Sequence, residues 1–227
     1  MVIKKGDFIE LDFVGRLQGS KQIFDLTDAA CAKKENVYNA KTAYGPKIIC
    51  VGEQQIVKGI DNFLMGKELS TYTVAVPPES GFGKKDPRLM KLVPAAVFHQ
   101  QKIAPFPGLQ VTINNTLGTV RTVSGGRIIV DFNHPLAGRN LEYEIVIKRI
   151  VTQTEEKLES YVANLFNKPV SCAYNAGKAT MTLDLPEQFQ KTLIEHIKKV
   201  IPEIKEIVFQ SENKPGQPAE KKTATQV

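Results

Sequence analysis

The sequence predicts an α+β protein built from several small units, and three observations support this prediction. An alternating stretch near the N-terminus, Asp7 to Arg16 ("DFIELDFVGR"), has a counterpart far along the chain, Leu141 to Val151 ("LEYEIVIKRIV"). Between the two lies a block dense in short strand-like segments. Beyond Val151, helix-type and strand-type patterns follow one another. A block enclosed by two similar halves indicates an inserted domain.

The N-terminal third reads mainly as strands. From Asp7 to Arg16, apolar residues alternate with acidic ones, and a period of two predicts a strand with one buried face. A turn at Gly19-Ser20 leads to a second strand that ends near Phe24-Asp25. The stretch from Thr27 to Pro46 has little periodicity and is predicted to be a long loop with one helical turn. The segments "KIICVG" and "STYTVAVPP" are two further predicted strands.

The stretch "VGEQQIVKGIDNFLMGKE" contains two glycines and ends near Gly-Lys, which raises the question of a phosphate-binding loop. Six residues separate Gly59 from Gly66 instead of the required four, and Glu68 stands where a Ser or Thr is needed. The spacing therefore excludes that motif. The apolar residues between Gln55 and Leu64 instead have helical spacing, which predicts a short helix that ends at Gly66.

The block from Arg88 to Asn133 has enough Val, Ile, Leu and Phe for a small β-rich domain. "RLMKLVP" is a predicted strand, and "PAAVFHQQ" a short helix with Pro94 in its first turn. Three strands follow, "LQVTINN", "TLGTVRTVSG" and "GRIIVDFN", joined by turns rich in Asn and Gly.

The region after Val151 is predicted to form a compact α-β-β-α-β unit. "TEEKLESYVANLF" has the apolar spacing of an amphipathic helix, and a hairpin follows around Asn175-Ala176-Gly177. A second helix opens at Pro186, and "IKEIVFQ" is the closing strand. The tail from Ser211 is polar and contains proline, so we expect it to be disordered.

Composition narrows the function classes. The net charge of +6 and pI of about 9.1 permit an acidic partner such as RNA, but acidic residues are interleaved with lysine along the chain. Charges interrupt every apolar run at the N-terminus, which excludes a conventional signal peptide, and no run is long enough to span a bilayer. We expect a cytoplasmic protein that does not bind membranes.

Cysteine and histidine usage predicts neither a disulfide framework nor a metal site. Cys31, Cys50 and Cys172 are widely spaced, odd in number and form no CxxC pair, so we expect plain reduced thiols. The three histidines, His99, His134 and His196, are far apart and form no HExxH motif, so we expect structural roles. No metal and no cofactor is predicted.

Four motifs occur in an order that resembles the FKBP-type peptidyl-prolyl cis-trans isomerases: "FVGRLQGSKQIFD", "VGEQQIVKGIDNFLMG", "VPPESGFG" and "NHPLAGRNLEYEIVI". The nearest group is SlyD-like, in which a chaperone domain is inserted in the flap. The resemblance covers Val2 to Val151, and the C-terminal unit resembles that of the long archaeal members. It implies a half-wrapped antiparallel FKBP barrel around one short helix. The implied domains are residues 1–83 with 133–151 (isomerase), 84–132 (inserted), 152–210 (C-terminal α/β) and 211–227 (tail).

The resemblance also implies an apolar pocket lined by aromatic side chains. It places eight residues there: Phe13, Phe24, Asp25, Ile56, Val57, Ile60, Phe82 and Tyr143. Of these, Asp25, Val57, Phe82 and Tyr143 are the expected catalytic residues, with the Val57 N–H holding the substrate. Asp25 either orients a neighbouring group or faces the twisted carbonyl. Phe13 and Phe82 stand where many relatives have tyrosine.

In the inserted block, the resemblance implies a surface that captures unfolded chains. The candidate residues are Leu92, Val97, Phe98, Ile103 and Phe106, with a core role in the insert as the alternative for each. The expected partners are unfolded or nascent polypeptides with X–Pro bonds, and the C-terminal unit is a candidate for homodimerisation. Two alternatives to an isomerase remain open: a chaperone without catalysis, which the two Phe-for-Tyr replacements favour, and a ribosome or RNA binder, for which few aromatics are available.

Overall fold

The computed structural model describes residues 1–210, which form three β-sheets and five α-helices. The protein is a mixed α+β structure in which most strand pairs are antiparallel, as the sequence predicted. The tail predicted to be disordered, residues 211–227, lies outside the described residues.

The first sheet is organised around one long strand near the N-terminus. Its strands are β1 (Phe8–Leu17), β2 (Ile23–Leu26), β3 (Lys47–Cys50), β4 (Thr71–Val76) and β9 (Leu141–Val151). β9 pairs with β1 along its whole length, so the two segments with alternating apolar residues are neighbours. On the opposite edge of β1, β3 pairs with the first half and β2 with the second half. The predicted helical turn before β3 is α1 (Ala29–Lys34), capped by the Asp28 carboxylate.

A short helix, α2 (Lys58–Leu64), packs against the first sheet. Ile60 and Leu64 are completely buried at the predicted helical spacing, and Gly66 has the positive φ of 78° expected after the helix end. Ile56 and Val57 continue the helical spacing of apolar residues but precede the helix, whose N-cap is Val57. The buried Asp61 carboxylate accepts the N–H groups of Gly52 at 2.8 Å and Gln54 at 3.1 Å, which folds the preceding loop back onto the helix. The chain therefore becomes helical only at Lys58.

The second sheet lies between β4 and β9 in the sequence. It consists of β5 (Met90–Pro94), β6 (Gln110–Ile113), β7 (Thr116–Ser124) and β8 (Arg127–Asp131), in the order β5-β8-β7-β6, with helix α3 (Ala95–Gln100) after β5. Its core is separate from that of the first sheet and includes Val93, Phe98 and Val120. The sheet falls within the predicted inserted domain, whose boundaries remain a prediction.

The two chain segments that join the first and second sheets lie side by side, and we call residues 83–86 and 131–138 the neck. Asn133 donates from Nδ2 to the Asp86 carbonyl at 3.0 Å and accepts the Asp86 N–H at 2.8 Å. Further along, the Gly138 N–H donates to the Gly83 carbonyl at 2.8 Å. The "NHPLAG" motif therefore has a structural role, because its first and last residues bond the returning segment to the outgoing one.

The third sheet and two longer helices follow β9. The elements occur in the order α4 (Thr154–Phe166), β10 (Cys172–Asn175), β11 (Lys178–Thr182), α5 (Glu187–Val200) and β12 (Glu206–Gln210). The strand order is β10-β11-β12, and β11 and β12 are parallel because α5 connects them.

The third sheet and its helices pack onto the first sheet. Phe8, Cys50 and Val151 belong to the same buried cluster as Leu158 and many residues of the third sheet. The Phe8 ring lies 6.2 Å from that of Tyr161, centroid to centroid, in an edge-on arrangement. Two adjacent residues of β1 thus contribute to different cores, Phe8 to the cluster that contains α4 and Ile9 to the core around α2.

No helix within residues 1–210 has the length and apolar character to cross a membrane. In the same residues, no group of three or more His, Cys, Asp or Glu side chains is placed to hold a metal ion. The three cysteines are free, and burial raises the pKa of the Cys50 and Cys172 thiols to about 12, so both remain protonated at neutral pH.

Candidate active site

Four aromatic side chains from distant parts of the chain form a connected group, which we call the aromatic cluster: Phe13, Phe24, Phe82 and Tyr143. The Tyr143 ring lies 5.9 Å from Phe13 and 5.5 Å from Phe24, and Phe24 lies 6.3 Å from Phe82. The rings meet at steep angles of 60–86°, which suits the attraction between a ring edge and a ring face. All four were predicted from the sequence to share one site, and the structure brings them together.

Strand register explains why these rings meet. Gly15 of β1 lies opposite Tyr143 of β9 on one side and opposite Asp25 of β2 on the other. A Cβ atom at Gly15 would lie 2.9 Å from both the Phe24 Cζ and the Tyr143 Cε1 atoms, so only glycine leaves room for the rings. Gly15 was not among the residues predicted for the site, although a glycine within a strand is a signal for such close approach.

The cluster has a buried floor and a more accessible rim. Phe13, Ile60 and Tyr143 are at most 3% exposed. Phe24 and Phe82 are half-buried, and so are Ile56 and Val57 at the entrance to α2. All seven apolar or aromatic residues predicted for the pocket pack in the same cluster around the first sheet. The partly accessible side chains of the rim therefore lie above a floor of buried ones.

The loop before α2 presents a hydrogen-bond donor next to this floor. The Val57 carbonyl accepts the N–H groups of Ile60 and Asp61, which fixes the peptide at the start of the helix. Within residues 1–210, the Val57 N–H itself has no acceptor, and no side chain caps the helix. An unpaired N–H at a helix start can bind a carbonyl group of a ligand.

Asp25 is exposed on β2, directly across from Gly15. Burial raises the pKa of Tyr143 well above its usual value, and the negative charge of Asp25 raises it further. Tyr143 therefore keeps its phenolic proton throughout the physiological range. The position of Asp25 at the edge of the cluster is compatible with both roles expected for it.

His134 was expected to have only a structural role, but it contacts the candidate site directly. Its ring stacks on Phe82 with centroids 4.4 Å apart and planes 4° apart. Its Nδ1 atom accepts the Leu136 N–H at 3.2 Å, which fixes the ring orientation. The neck thus holds Phe82 in place. The sequence placed His134 in the fourth motif of the family resemblance, but nothing in that motif indicated a stack on Phe82.

The residues predicted for client capture fall into two groups. Leu92 and Val97 line a cavity of about 490 Å³ on the second sheet, which we call the groove, and Leu92 is 58% exposed. Phe106 is 57% exposed outside the groove lining, while Ile103 is half-buried beside the core of the second sheet. Phe98 is only 2% exposed and belongs to that core. At Phe98 the expectation of direct client contact is therefore wrong, because the side chain fills the sheet's own interior.

The chain is similar in sequence to several proteins that are named peptidyl-prolyl cis-trans isomerases. A short-type peptidyl-prolyl cis-trans isomerase of Methanocaldococcus jannaschii is 28% identical over 150 residues, covering 66% of this chain and 94% of the relative. A probable FKBP-type 16 kDa peptidyl-prolyl cis-trans isomerase of Pseudomonas fluorescens is 29% identical over 108 residues, which cover 45% of this chain and 71% of the relative. The FKBP-type peptidyl-prolyl cis-trans isomerase SlyD of Vibrio cholerae is 26% identical over 127 residues, which cover 54% of this chain and 63% of the relative.

A family model also matches the second sheet. The IF domain of FKBP26 matches residues 91–136, which include most of the four strands and the returning segment of the neck. Together with the named relatives, this match confirms the predicted resemblance to FKBP-type, SlyD-like proteins.

Proposed function

We propose that this FKBP-type, SlyD-like chain is a peptidyl-prolyl cis-trans isomerase whose active site is the aromatic cluster with the adjoining Val57 N–H. The observation that carries the proposal is the combination of a buried floor, half-exposed phenylalanine rings and an unpaired backbone donor beside them. The names of the relatives support the same activity.

The chemistry requires no nucleophile, metal or proton donor. Rotation about an X–Pro amide is opposed by a barrier of about 18–20 kcal/mol, which arises from conjugation between nitrogen and carbonyl. At the top of the barrier that conjugation is lost and the amide is less polar than in its planar forms. A site without water therefore favours the twisted state over the planar one, and this differential binding accelerates rotation. A thousandfold acceleration corresponds to about 4 kcal/mol.

Each part of the site has a role in this mechanism. The proline ring lies on Tyr143 and Ile60, with the Phe24 and Phe82 rings along its sides. The Val57 N–H binds the carbonyl of a residue flanking the X–Pro bond, so one part of the substrate is held while the other turns. Asp25 acts from the edge of the cluster, by orienting a neighbouring group or by facing the twisted carbonyl.

We further propose that the groove binds unfolded polypeptide segments and delivers them to the active site. The support is the exposure of Leu89, Met90 and Leu92 around an apolar cavity in a unit attached through the neck. Tethering a weak binding surface near a catalytic site raises the effective concentration of substrate there. The groove would therefore matter for protein substrates and not for short peptides.

Two assays on the full chain test both parts. Isomerisation of a short peptide with one X–Pro bond reports on the active site, and proline-limited refolding of a protein reports on both sites. We expect Phe82→Ala to slow both reactions by about tenfold or more. Leu92→Ser should slow only refolding.

Phe189→Ser is the matched control for Leu92→Ser, since Phe189 is also exposed (65%) but lies on α5, beside the third sheet. It should slow neither reaction. If the wild-type chain suppresses aggregation but accelerates neither reaction, the alternative of a chaperone without catalysis is correct. If Phe82→Ala is fully active, the aromatic cluster is not the active site.

A further inference from the structure

The net charge of the protein is concentrated in one short region. Residues 84–132 contain seven Lys and Arg but only two Asp and Glu, a net charge of +5 out of the chain's +6. The rest of the chain therefore has a net charge of only +1. The region includes the whole second sheet and the groove.

Internal ion pairs use both acidic residues of this region. Asp131 is buried between Lys85 at 2.8 Å and Arg121 at 3.0 Å, and Asp86 pairs with Arg88 at 2.8 Å. Lys84 pairs with Glu79, which precedes the region. Of the seven basic side chains in residues 84–132, three form no ion pair with an acidic side chain of residues 1–210: Lys91, Lys102 and Arg127.

One of the three uncompensated charges lines the groove, and the other two lie on or next to elements that contribute to its lining or pair with them. Lys91 lines it, and Arg127 lies opposite Pro94, another lining residue, in the β5–β8 pair. Lys102 follows α3, which contributes Val97 to the lining. All three side chains are exposed, so a bound chain would meet their charges at the rim of an apolar surface.

We propose that the groove selects apolar polypeptide segments flanked by aspartate or glutamate. This proposal rests on the client-binding part of the proposed function and specifies its substrate class. The apolar residues of a client contact the groove, and its acidic flanks face Lys91, Arg127 and Lys102. Such long-range attraction raises association rates and suppresses binding of basic segments. Phe132 is the one aromatic residue among the residues that line the groove, and the other apolar lining residues are Leu, Val, Ile and Pro, which favours a peptide over a nucleic acid whose successive bases require aromatic stacking partners.

Three fluorescent peptides with one shared apolar core test the proposal, flanked by Glu, by Gln or by Lys. Fluorescence anisotropy with the full chain should give the tightest binding for the Glu peptide. At low salt its affinity should exceed that of the Lys peptide by about tenfold, and the three should converge in high salt.

The charge-reversed variants Lys91→Glu and Arg127→Glu should reverse this order of affinity. Lys91→Gln should only weaken it. Lys198→Glu is the matched control, because Lys198 is an exposed lysine on α5 in the third unit, and it should change nothing.

The possible outcomes separate this proposal from the one on which it depends. Equal low-salt affinity for all three peptides would overturn the charge preference and leave client binding intact. Failure to bind any of them would overturn client binding itself. A single-stranded oligonucleotide that displaces the Glu peptide at equal concentration would identify the region as a nucleic-acid surface and overturn the proposal.

Discussion

The rings of Phe82 and His134 lie face to face, 4.4 Å apart and within 4° of parallel. Phe82 belongs to the aromatic cluster, and His134 belongs to the neck between the first and second sheets. The active site that we propose therefore has one of its walls supported by the segment that returns from the groove-bearing unit.

Replacing His134 tests this support. We expect His134→Ala to lower kcat/KM for a short X–Pro peptide by about three- to tenfold, since an aromatic pair contributes about 0.5–1.5 kcal/mol to the position of Phe82. His134→Phe keeps a flat ring at the same place and should retain most of the activity. Equal activity of the alanine and phenylalanine variants would contradict a supporting role for the stack.

Gly15 offers a test of the cluster that alters none of its aromatic residues. The Cβ atom of Gly15→Ala would lie 2.9 Å from atoms of Phe24 and Tyr143, so we expect the rings to separate and kcat/KM to fall by about tenfold. Gly19→Ala is the control, because a Cβ atom there has no neighbour within 4 Å. Nuclear magnetic resonance of the aromatic side chains should show shifted Tyr143 signals only in the Gly15 variant.

Asp131 should make the second sheet sensitive to acid. Burial acts to raise the pKa of its carboxyl group, but hydrogen bonds from Lys85, Asn133 and Arg121 outweigh burial and hold the pKa well below its usual value. A carboxylate with a lowered pKa in the folded state stabilises that state above the unfolded pKa of about 4, and this stabilisation is lost as pH falls further.

Asp131→Asn should therefore destabilise the second sheet at pH 7 by about 2–3 kcal/mol, with a smaller difference from wild type below about pH 4. Denaturant unfolding at several pH values measures this. Glu79→Gln, which breaks only the exposed pair with Lys84, is the control and should leave stability unchanged. A difference between Asp131→Asn and wild type that stays constant from pH 7 to pH 3 would contradict the assignment.

The contact between α4 and the first sheet predicts a long-range effect of one leucine. Leu158 is completely buried in the cluster that contains Phe8 and Cys50. Leu158→Ala should therefore lower the free energy of unfolding by about 2–5 kcal/mol. Hydrogen exchange should become faster in β1 and β3 as well as in α4. Leu165→Ala, at an exposed position of the same helix, should leave exchange in β1 and β3 unchanged.

Local patterns predicted the elements well where one side of the segment is buried. The strand predicted from Leu141 to Val151 is β9, residue for residue, because its alternation reflects one face against the core. The start of α2 could not be derived from the apolar spacing, because it depends on hydrogen bonds from Gly52 and Gln54 to Asp61, which no periodicity encodes.

The candidate site was only partly accessible from the sequence. The order of four motifs placed Phe13, Phe24, Phe82 and Tyr143 together correctly. His134 and Gly15 were missed, since their importance arises from a ring stack and a strand register that join distant segments. The sequence left the two roles of Phe98 open, because an apolar residue on a short helix has the same pattern whether it faces a client or a core, and the structure supports the core role.

The contribution of β1 to two cores determines how the protein should unfold on heating. Because Phe8 and Ile9 are adjacent residues committed to different clusters, the first and third sheets should melt together as one cooperative block. No residue of the second sheet's core belongs to either of those clusters. Calorimetry should therefore resolve two endotherms, one of them for the second sheet. If the second sheet unfolds first, then at temperatures between the two transitions the chain would still isomerise short peptides but would no longer bind protein substrates.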